Sequence, residues 1–293
     1  MITVLGASGH TGGAAAAYLL KQGKKVRAVA RHRDKLATLV QGGAEPLIGD
    51  IEDLGFMRQA LAGAEAAYVL IPPNLATDDF RGYQRRVVES VASGLEAAKV
   101  RYVVLLSSVG AQHSQGTGPI VGLHEFEQRL AKIEALNALF VRAGYFMENI
   151  FMSLESIKNQ GVYAGPMPPD AATPMIASAD IGDYAGQRLE RLDFEGKSVV
   201  QLLGPRPLAQ AEIARIIGQA VGKSVRYTQV SFEDLGKGML QAGLRPSLAS
   251  TYVEMAQGAA KGLVAPEEGQ PIERGPTAFE TFAKNVFAAA IPK

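Results

Sequence analysis

The chain has 293 residues, 47% of them hydrophobic and 20% charged, with a net charge of +1 and interspersed acidic and basic residues. This composition excludes a disordered chain, and the balanced charge argues against direct nucleic-acid binding. Cysteine is absent, which excludes disulfides, thiolate catalysis and cysteine-based metal sites, and we expect no metal centre. No apolar run reaches the length of a membrane span and the first residues lack the basic start of a secretory signal, so we expect a cytoplasmic protein without membrane contact.

The chain opens with a predicted strand at residues 2–5, a glycine-rich turn and an alanine-rich helix. Glycines in such a turn permit a tight bend and a close approach to a pyrophosphate, which the free N–H groups of the helix attract. The spacing lacks a glycine two positions after the first, so a plain turn without a ligand stays an alternative. The predicted cofactor contacts in this turn are Gly6, Ser8, Gly9, His10, Thr11 and Gly12.

Basic residues follow the second predicted strand, 26–30, where an NAD-specific site would place an acid. The guanidinium of Arg31 can bond a 2′-phosphate through paired N–H donors, and Lys35 can add a point charge. We therefore expect NADP(H) to be preferred over NAD(H). The alternative is that these side chains are only solvated.

The third and fourth predicted strands, 45–48 and 66–71, end at further candidate contacts. An acid after the third strand can accept a hydrogen bond from the adenine amino group, cap a helix expected at residues 51–61, or do both. The fourth strand is a continuous apolar run, which is typical of a buried parallel strand, and the prolines after it either line the crevice or only end the strand. The predicted contacts here are Asp50, Ile51, Leu70, Ile71, Pro72 and Pro73.

Several of these segments resemble the NmrA-like branch of the atypical short-chain dehydrogenase/reductase superfamily. They are Gly6-Ala7-Ser8-Gly9-His10-Thr11-Gly12, residues 26–31 with Lys35, Gly49-Asp50, residues 142–149 and Leu203-Gly204-Pro205. The resemblance implies a doubly wound parallel α/β sheet of the Rossmann type with a smaller, mostly helical C-terminal substrate lobe. We expect residues 1–150 to bind NAD(P) and residues 151–293 to form the smaller lobe, with some segments returning to the first domain.

The resemblance also indicates where the reacting end of the cofactor would lie. In dehydrogenases of the superfamily a serine in the place of Ser107 helps to hold the carbonyl, and a tyrosine and a lysine four residues apart on the next helix supply the proton. If Glu127 is matched to the family's glutamate on that helix, His124 stands in the lysine position and Ile120 in the tyrosine position. The phenolic acid is therefore missing.

Two groups are candidates to replace it. His124 could bond the ribose, donate a proton or be structural. By the resemblance, Gly144 and Tyr145 flank the nicotinamide and substrate, and the Tyr145 hydroxyl could supply the acid, with core packing as the alternative. We expect Ser107, His124, Gly144 and Tyr145 to contact the cofactor, and Ser107, His124 and Tyr145 to be catalytic. A glycine- and serine-rich loop at residues 111–119 is a candidate lid.

The resemblance implies two kinds of function, because members include NAD(P)H:quinone oxidoreductases and also regulators that bind NADP(H) without turning it over. The leading hypothesis is an NADPH-dependent reductase of a quinone-like or other small conjugated acceptor. The alternative is a redox sensor that binds NADP(H) and acts through a protein partner. A sugar-nucleotide epimerase is a weaker hypothesis because it usually keeps the missing tyrosine, and no Gly-x-Ser-x-Gly elbow indicates a serine hydrolase.

Overall fold

A computed structural model describes residues 1–291. Its strands are β1 (Ile2–Val4), β2 (Val26–Ala30), β3 (Glu45–Ile48), β4 (Ala66–Val69), β5 (Tyr102–Ser108), β6 (Asn137–Ala143), β7 (Tyr145–Phe146), β8 (Val162–Gly165), β9 (Ala172–Ile176), β10 (Lys197–Leu203), β11 (Pro207–Ala209), β12 (Arg226–Gln229) and β13 (Ile272–Arg274). Its helices are α1 (His10–Lys21), α2 (Ala37–Gln41), α3 (Leu54–Leu61), α4 (Phe80–Ala98), α5 (Ile120–Ala131), α6 (Leu154–Gln160), α7 (Ser178–Arg191), α8 (Gln210–Val221), α9 (Phe232–Gln241), α10 (Pro246–Ala260) and α11 (Phe279–Phe282). Short 3-10 turns lie at Asp34–Leu36, Met147–Ser153 and Ala288–Ala290, and a π turn lies at Ala283–Phe287.

The central sheet runs in the order β13-β10-β6-β5-β4-β1-β2-β3 and is parallel throughout. The chain adds strands outward from β1 to β3 in one direction and from β4 to β6 in the other. The winding therefore reverses between β1 and β4, and in such a sheet a crevice opens beyond the carboxyl ends of the strands at that point. The predicted doubly wound parallel fold is confirmed.

Helices cover both faces of this sheet, which explains why the inner strands are continuously apolar. On one face α1 and α7 contribute Leu19, Ile181 and Leu189 to the core. On the other face α3, α4 and α5 contribute Met57, Phe126 and a set of valines. Every residue of β1 and β4 is buried, so the two strands at the reversal are the most enclosed part of the molecule.

Helices α1 and α7 approach each other closely because α7 places glycine at the contact. A Cβ at Gly182 would lie 2.4 Å from the Ala14 Cβ and 2.5 Å from the Thr11 carbonyl oxygen. One turn later, a Cβ at Gly186 would lie 2.8 Å from the Tyr18 ring. Since α1 begins at the glycine turn, α7 helps to set the position of that helix from beside it on the same face of the sheet.

A smaller lobe consists of α6, α8 to α11 and two small sheets, β11-β9-β7 and β12-β8, and it takes β7 from before residue 150. Its core contains Ile213, Phe279, Phe282 and Phe287. Several later elements return to the first lobe, because β10 and β13 extend the central sheet and α7 packs on α1. Positions 292 and 293 of the predicted lobe lie outside the described residues. Within residues 1–291, every helix is too short or too polar to cross a bilayer.

One predicted helix start is wrong because a different residue supplies the cap. The helix expected from Ile51 begins at Leu54, since the Asp53 carboxylate, and not Asp50, accepts a hydrogen bond from the Phe56 N–H at 3.0 Å. The segment after β7 forms a 3-10 turn that contains Glu148. The Glu148 carboxylate accepts the Ser178 N–H at 3.0 Å and so caps α7.

Candidate functional site

The glycine turn lies at the point where the winding of the sheet reverses. Gly6 has a φ of +63°, a left-handed conformation that glycine adopts without strain, and its carbonyl accepts the Gly9 N–H at 2.9 Å. A Cβ at Gly12 would lie 2.5 Å from the Gly6 carbonyl oxygen and 2.9 Å from that of Leu5. Glycine at position 12 therefore lets α1 begin directly against the end of β1.

The first turn of α1 presents unpaired donors. The first helical hydrogen bond runs from the Gly13 N–H to the Gly9 carbonyl at 2.8 Å, so the N–H groups of His10, Thr11 and Gly12 have no partner within the helix. Gly9 caps the helix without a side-chain hydrogen bond, and the first turn contains no acid. Ser8, Gly9 and His10 are exposed. This geometry fits the pyrophosphate of a dinucleotide.

The basic residues after β2 are exposed on the same edge of the sheet. Arg31 directly follows β2, Lys35 lies in the next 3-10 turn, and neither forms an ion pair with another residue between 1 and 291. Asp50 is also exposed, and its carboxylate accepts the Glu52 N–H at 2.9 Å, which leaves a second oxygen free. These three side chains are accessible to a ligand, as the predicted adenosine end requires.

Tyr83 on α4 joins this edge to the fourth strand. Its hydroxyl donates to the Pro72 carbonyl at 2.8 Å and so holds the segment after β4 in place. Burial raises the pKa of Tyr83, and the charges of Glu52, Arg31 and Asp50 also act on it. Nothing in the sequence singles out Tyr83, since an aromatic residue on the buried face of a helix looks like ordinary core.

The segment after β4 borders the glycine turn. A Cβ at Gly6 would lie 3.1 Å from the Leu70 side chain, so Leu70 covers the turn, and it is itself buried. Ile71 and Pro72 are half-buried, and Pro73 is exposed. Ile51, by contrast, is buried in the apolar core, which leaves little of its side chain for a cofactor.

Ser107 has a different partner from the predicted carbonyl. Its hydroxyl donates to Glu127 Oε1 at 2.6 Å, and the residue is 2% exposed. Glu127 also accepts from Arg142 Nε at 3.0 Å and from Arg142 Nη2 at 2.7 Å, and Arg142 reaches on to Glu267. Ser107 is therefore part of a buried network that joins β5, α5 and β6.

Arg142 and Glu267 were missed as members of this network. A signal was present in the sequence, because a guanidinium inside an otherwise apolar strand needs a buried acidic partner. Its partners, 15 and 125 residues away, could not be identified without the fold.

His124 lies on α5 and is half-buried. Its Nδ1 is 2.9 Å from the Ala111 carbonyl oxygen. A carbonyl can only accept, so Nδ1 carries a hydrogen and Nε2 is the nitrogen available to a ligand. In the neutral ring Nε2 is an acceptor, and only the imidazolium can donate a proton from it. The residue at the expected tyrosine position, Ile120, is buried core.

Gly144 and Tyr145 follow β6 at the junction of the two lobes. Gly144 is glycine for a packing reason, since a Cβ there would lie 2.4 Å from the Pro174 carbonyl oxygen. Tyr145 has 37% of its surface accessible. Burial of the hydroxyl nevertheless raises the pKa of Tyr145 to about 12. The Tyr252 hydroxyl also raises this pKa, and a hydrogen bond from Asn149 lowers it. Phe146 packs against the core.

The predicted lid at residues 111–119 is packed under α10. A Cβ at Gly118 would lie 2.0 Å from the Thr251 carbonyl oxygen, and one at Gly258 would lie 2.2 Å from that of Gly116. The Gly116 N–H also donates to Glu254 at 3.1 Å. The loop is therefore a fixed wall of the cleft, with α10 above it.

Comparison with known proteins agrees with this architecture. An NAD(P)H azoreductase of Xenophilus azovorans is 26% identical over 87% of this chain and 86% of its own length. Quinone oxidoreductase 2 of Escherichia coli strain K12 is 27% identical over 89% of each chain. A crystal structure of the Escherichia coli NADPH-dependent quinone oxidoreductase QOR2 with NADPH superposes with a TM-score of 0.82, at 23% identity, over 98% of this chain and 100% of that one. The NmrA-like family model matches residues 1–283, and the chain therefore belongs to the NmrA-like family.

Proposed function

We propose that the protein is an NADPH-dependent oxidoreductase that reduces a quinone-like or other small conjugated acceptor. The observation that carries this proposal is the carboxyl edge of the sheet, where the free Arg31 side chain after β2, the unpaired amides of α1 after β1 and the accessible Tyr145 ring after β6 lie in that order. The names of the similar azoreductase and quinone oxidoreductase support the same reaction class.

The cofactor preference is argued from the residues after β2. Arg31 and Lys35 have no carboxylate partner within residues 1–291, so their charge is available to a 2′-phosphate. Charge-assisted hydrogen bonds are worth roughly 1.5–3 kcal/mol each, and about 1.4 kcal/mol is a tenfold change in affinity. One or two such bonds would favour NADP(H) over NAD(H) without excluding the latter.

Bound NADPH would supply the hydride that, together with one proton, converts a quinone to a hydroquinone. The residues of this chain would bind and orient the acceptor and manage the proton. Since Nδ1 of His124 is held by the Ala111 carbonyl, a proton can leave only from Nε2 of the imidazolium. A pKa of about 12 keeps Tyr145 neutral at physiological pH, so it would hold the acceptor oxygen as a hydrogen-bond donor.

The first experiment is a calorimetric titration with NADPH, followed by the loss of NADPH absorbance in the presence of a panel of small quinones. Saturable turnover above the uncatalysed rate is the expected result. Tight binding of NADPH without turnover of any acceptor would contradict the reductase. It would favour the alternative, an NADP(H) sensor that acts through a protein partner.

A further inference from the structure

Helix α10 belongs to the smaller lobe in sequence but lies across the cleft edge of the larger one. Besides its contacts with the loop at residues 111–119, its Glu254 accepts from Arg81 Nη2 at 3.3 Å, and Ser247 Oγ is 3.5 Å from the Thr77 carbonyl oxygen. Thr77 and Arg81 flank the start of α4, directly after the segment that borders the glycine turn. The helix is thus attached to the chain after β4 and to the chain after β5.

These attachments place Tyr252 in the cleft wall. Its neighbour Thr251 is buried against Gly118, and Leu248, one turn earlier, is buried in the apolar core. Tyr252 itself is half-buried and packs against the same apolar core as Ile71. The ring is therefore held in place by packing.

The Tyr252 hydroxyl differs from those of the tyrosines that have a structural bond. Tyr83, Tyr163 and Tyr227 each donate to a protein oxygen, at 2.8, 3.1 and 2.7 Å. The hydroxyl of Tyr252 forms no such bond with any part of the chain that the structure describes, and it is not among the fully enclosed polar atoms. A half-buried phenol of this kind has a donor to offer to a ligand.

A second tyrosine, Tyr145, lies at the cleft on β7, in the small sheet β11-β9-β7. The two hydroxyls are close enough that Tyr252 contributes, after burial, to the raised pKa of Tyr145. Burial also raises the pKa of Tyr252, so both phenols are neutral donors at physiological pH. The unbonded Tyr252 hydroxyl on α10 and the Tyr145 ring on β7, which is 37% exposed, therefore both lie at the cleft.

We infer that Tyr252 is a residue of the acceptor site that donates a hydrogen bond to a carbonyl oxygen of the acceptor, opposite Tyr145. This inference rests on the proposed function and adds a specificity-determining residue to it. The ligand class that fits is a planar conjugated carbonyl compound, whose oxygen the phenols can bond and whose faces the rings can contact.

The test is Tyr252→Phe, which keeps the ring and removes the hydroxyl. A neutral hydrogen bond is worth roughly 0.5–1.5 kcal/mol. We therefore expect the KM for a small quinone to rise about 2- to 12-fold. The Kd of the same quinone for the protein–NADP+ complex, measured by calorimetry, should rise by the same factor. The Kd for NADPH should stay within about twofold. The matched control is Tyr102→Phe, a half-buried tyrosine at the amino end of β5, far along the strand from the cleft.

A double variant that combines Tyr145→Phe and Tyr252→Phe tests whether the two hydroxyls bond the same acceptor molecule or act independently. If both phenols bond the same acceptor, the losses in Tyr145→Phe and Tyr252→Phe will not add in the double variant. If the Tyr252→Phe variant turns over the acceptor with unchanged KM and unchanged acceptor Kd, the inference is overturned and the proposed reductase activity stands. Acceptor binding that depends on Tyr252 without turnover overturns the reductase alone, and a wild-type protein that binds no quinone overturns both.

Discussion

At the scale of single residues, the side chains proposed to bind the cofactor are exposed, and those proposed to do the chemistry already have hydrogen-bond partners in the protein. Arg31 and Lys35 are free, whereas Ser107 is bonded to Glu127 and one nitrogen of His124 is bonded to Ala111. The difference follows from position. A residue just beyond a strand end is solvated, but one inside a buried strand must find a protein partner.

Replacement of Arg31 by Asp tests the cofactor preference. Loss of the charge-assisted bonds should weaken NADPH binding by roughly 10- to 150-fold, while NADH, which lacks the 2′-phosphate, should change by less than about threefold. Calorimetric Kd values for both cofactors provide the measurement. The control is Arg58→Asp on α3, another exposed cation. Equal losses for NADPH and NADH would remove Arg31 from the 2′-phosphate site.

Replacement of His124 by Ala tests the proton donor. General acid catalysis contributes on the order of 10²–10⁴-fold, so kcat should fall by about that factor if the imidazolium donates, with the Kd for NADPH within about threefold. His124→Gln keeps polarity but has no titratable proton, and it should not restore the rate. Unchanged turnover in both variants would leave His124 as a structural residue of α5.

At the scale of elements, the cofactor site depends on a helix that the nucleotide would not touch. Helix α7 packs on α1 through Gly182 and Gly186, and Glu148 of the adjoining segment caps α7. The position of the first turn of α1 is therefore set by α7 as much as by the glycine turn. Changes on α7 should act on cofactor binding through this contact.

Gly182→Ala should show that coupling. The added Cβ would lie 2.4 Å from the Ala14 Cβ and 2.5 Å from the Thr11 carbonyl oxygen, so the helices must separate. We expect the free energy of unfolding to fall by about 1–3 kcal/mol and NADPH affinity to fall with it. The matched control is Gly238→Ala on α9, where a Cβ meets no atom within 4 Å and should add about 0.5–1 kcal/mol. Chemical denaturation measures the free energy of unfolding of both variants. Equal changes in the two variants would refute the close contact between α1 and α7.

At the scale of the whole molecule, buried tyrosines should limit stability in alkali. Of nine tyrosines, Tyr68, Tyr83 and Tyr163 have pKa values raised by burial, and burial raises the pKa of Tyr227 to about 12. The unfolded chain releases these protons near pH 10, below the pKa of the folded state. Stability is therefore fully present below about pH 10 and is lost as pH rises toward the folded-state values.

The measurement is the free energy of unfolding against pH, together with tyrosinate absorbance. We expect a plateau that ends near pH 10, and a late jump in absorbance that coincides with loss of circular dichroism. Tyr68→Phe should move that jump to higher pH, because the Tyr68 hydroxyl is fully buried beside Thr11 without a hydrogen-bonding geometry. Reversible ionisation of all nine tyrosines in the folded protein would contradict this expectation.

Much of the molecule follows from local sequence. The strand, glycine turn and helix of residues 2–21 depend on residues within one or two turns of each other, so the periodicity and the glycines predict them. The parallel order of the main sheet follows from the alternation of strands and helices along the chain. The small strands β7, β9 and β11 were missed because two- to five-residue strands pair with distant partners and show no period of their own.

By itself, then, the sequence determined the family, the doubly wound sheet and the turn where a dinucleotide would bind, because these depend on contiguous residues. Only the tertiary structure decided which polar groups are free. It paired Glu127 with Arg142, capped α7 with Glu148 and packed the expected lid under α10. The physical reason is that a buried polar group must be satisfied by whatever the fold brings near it, and these partners lie 15 to 138 residues apart.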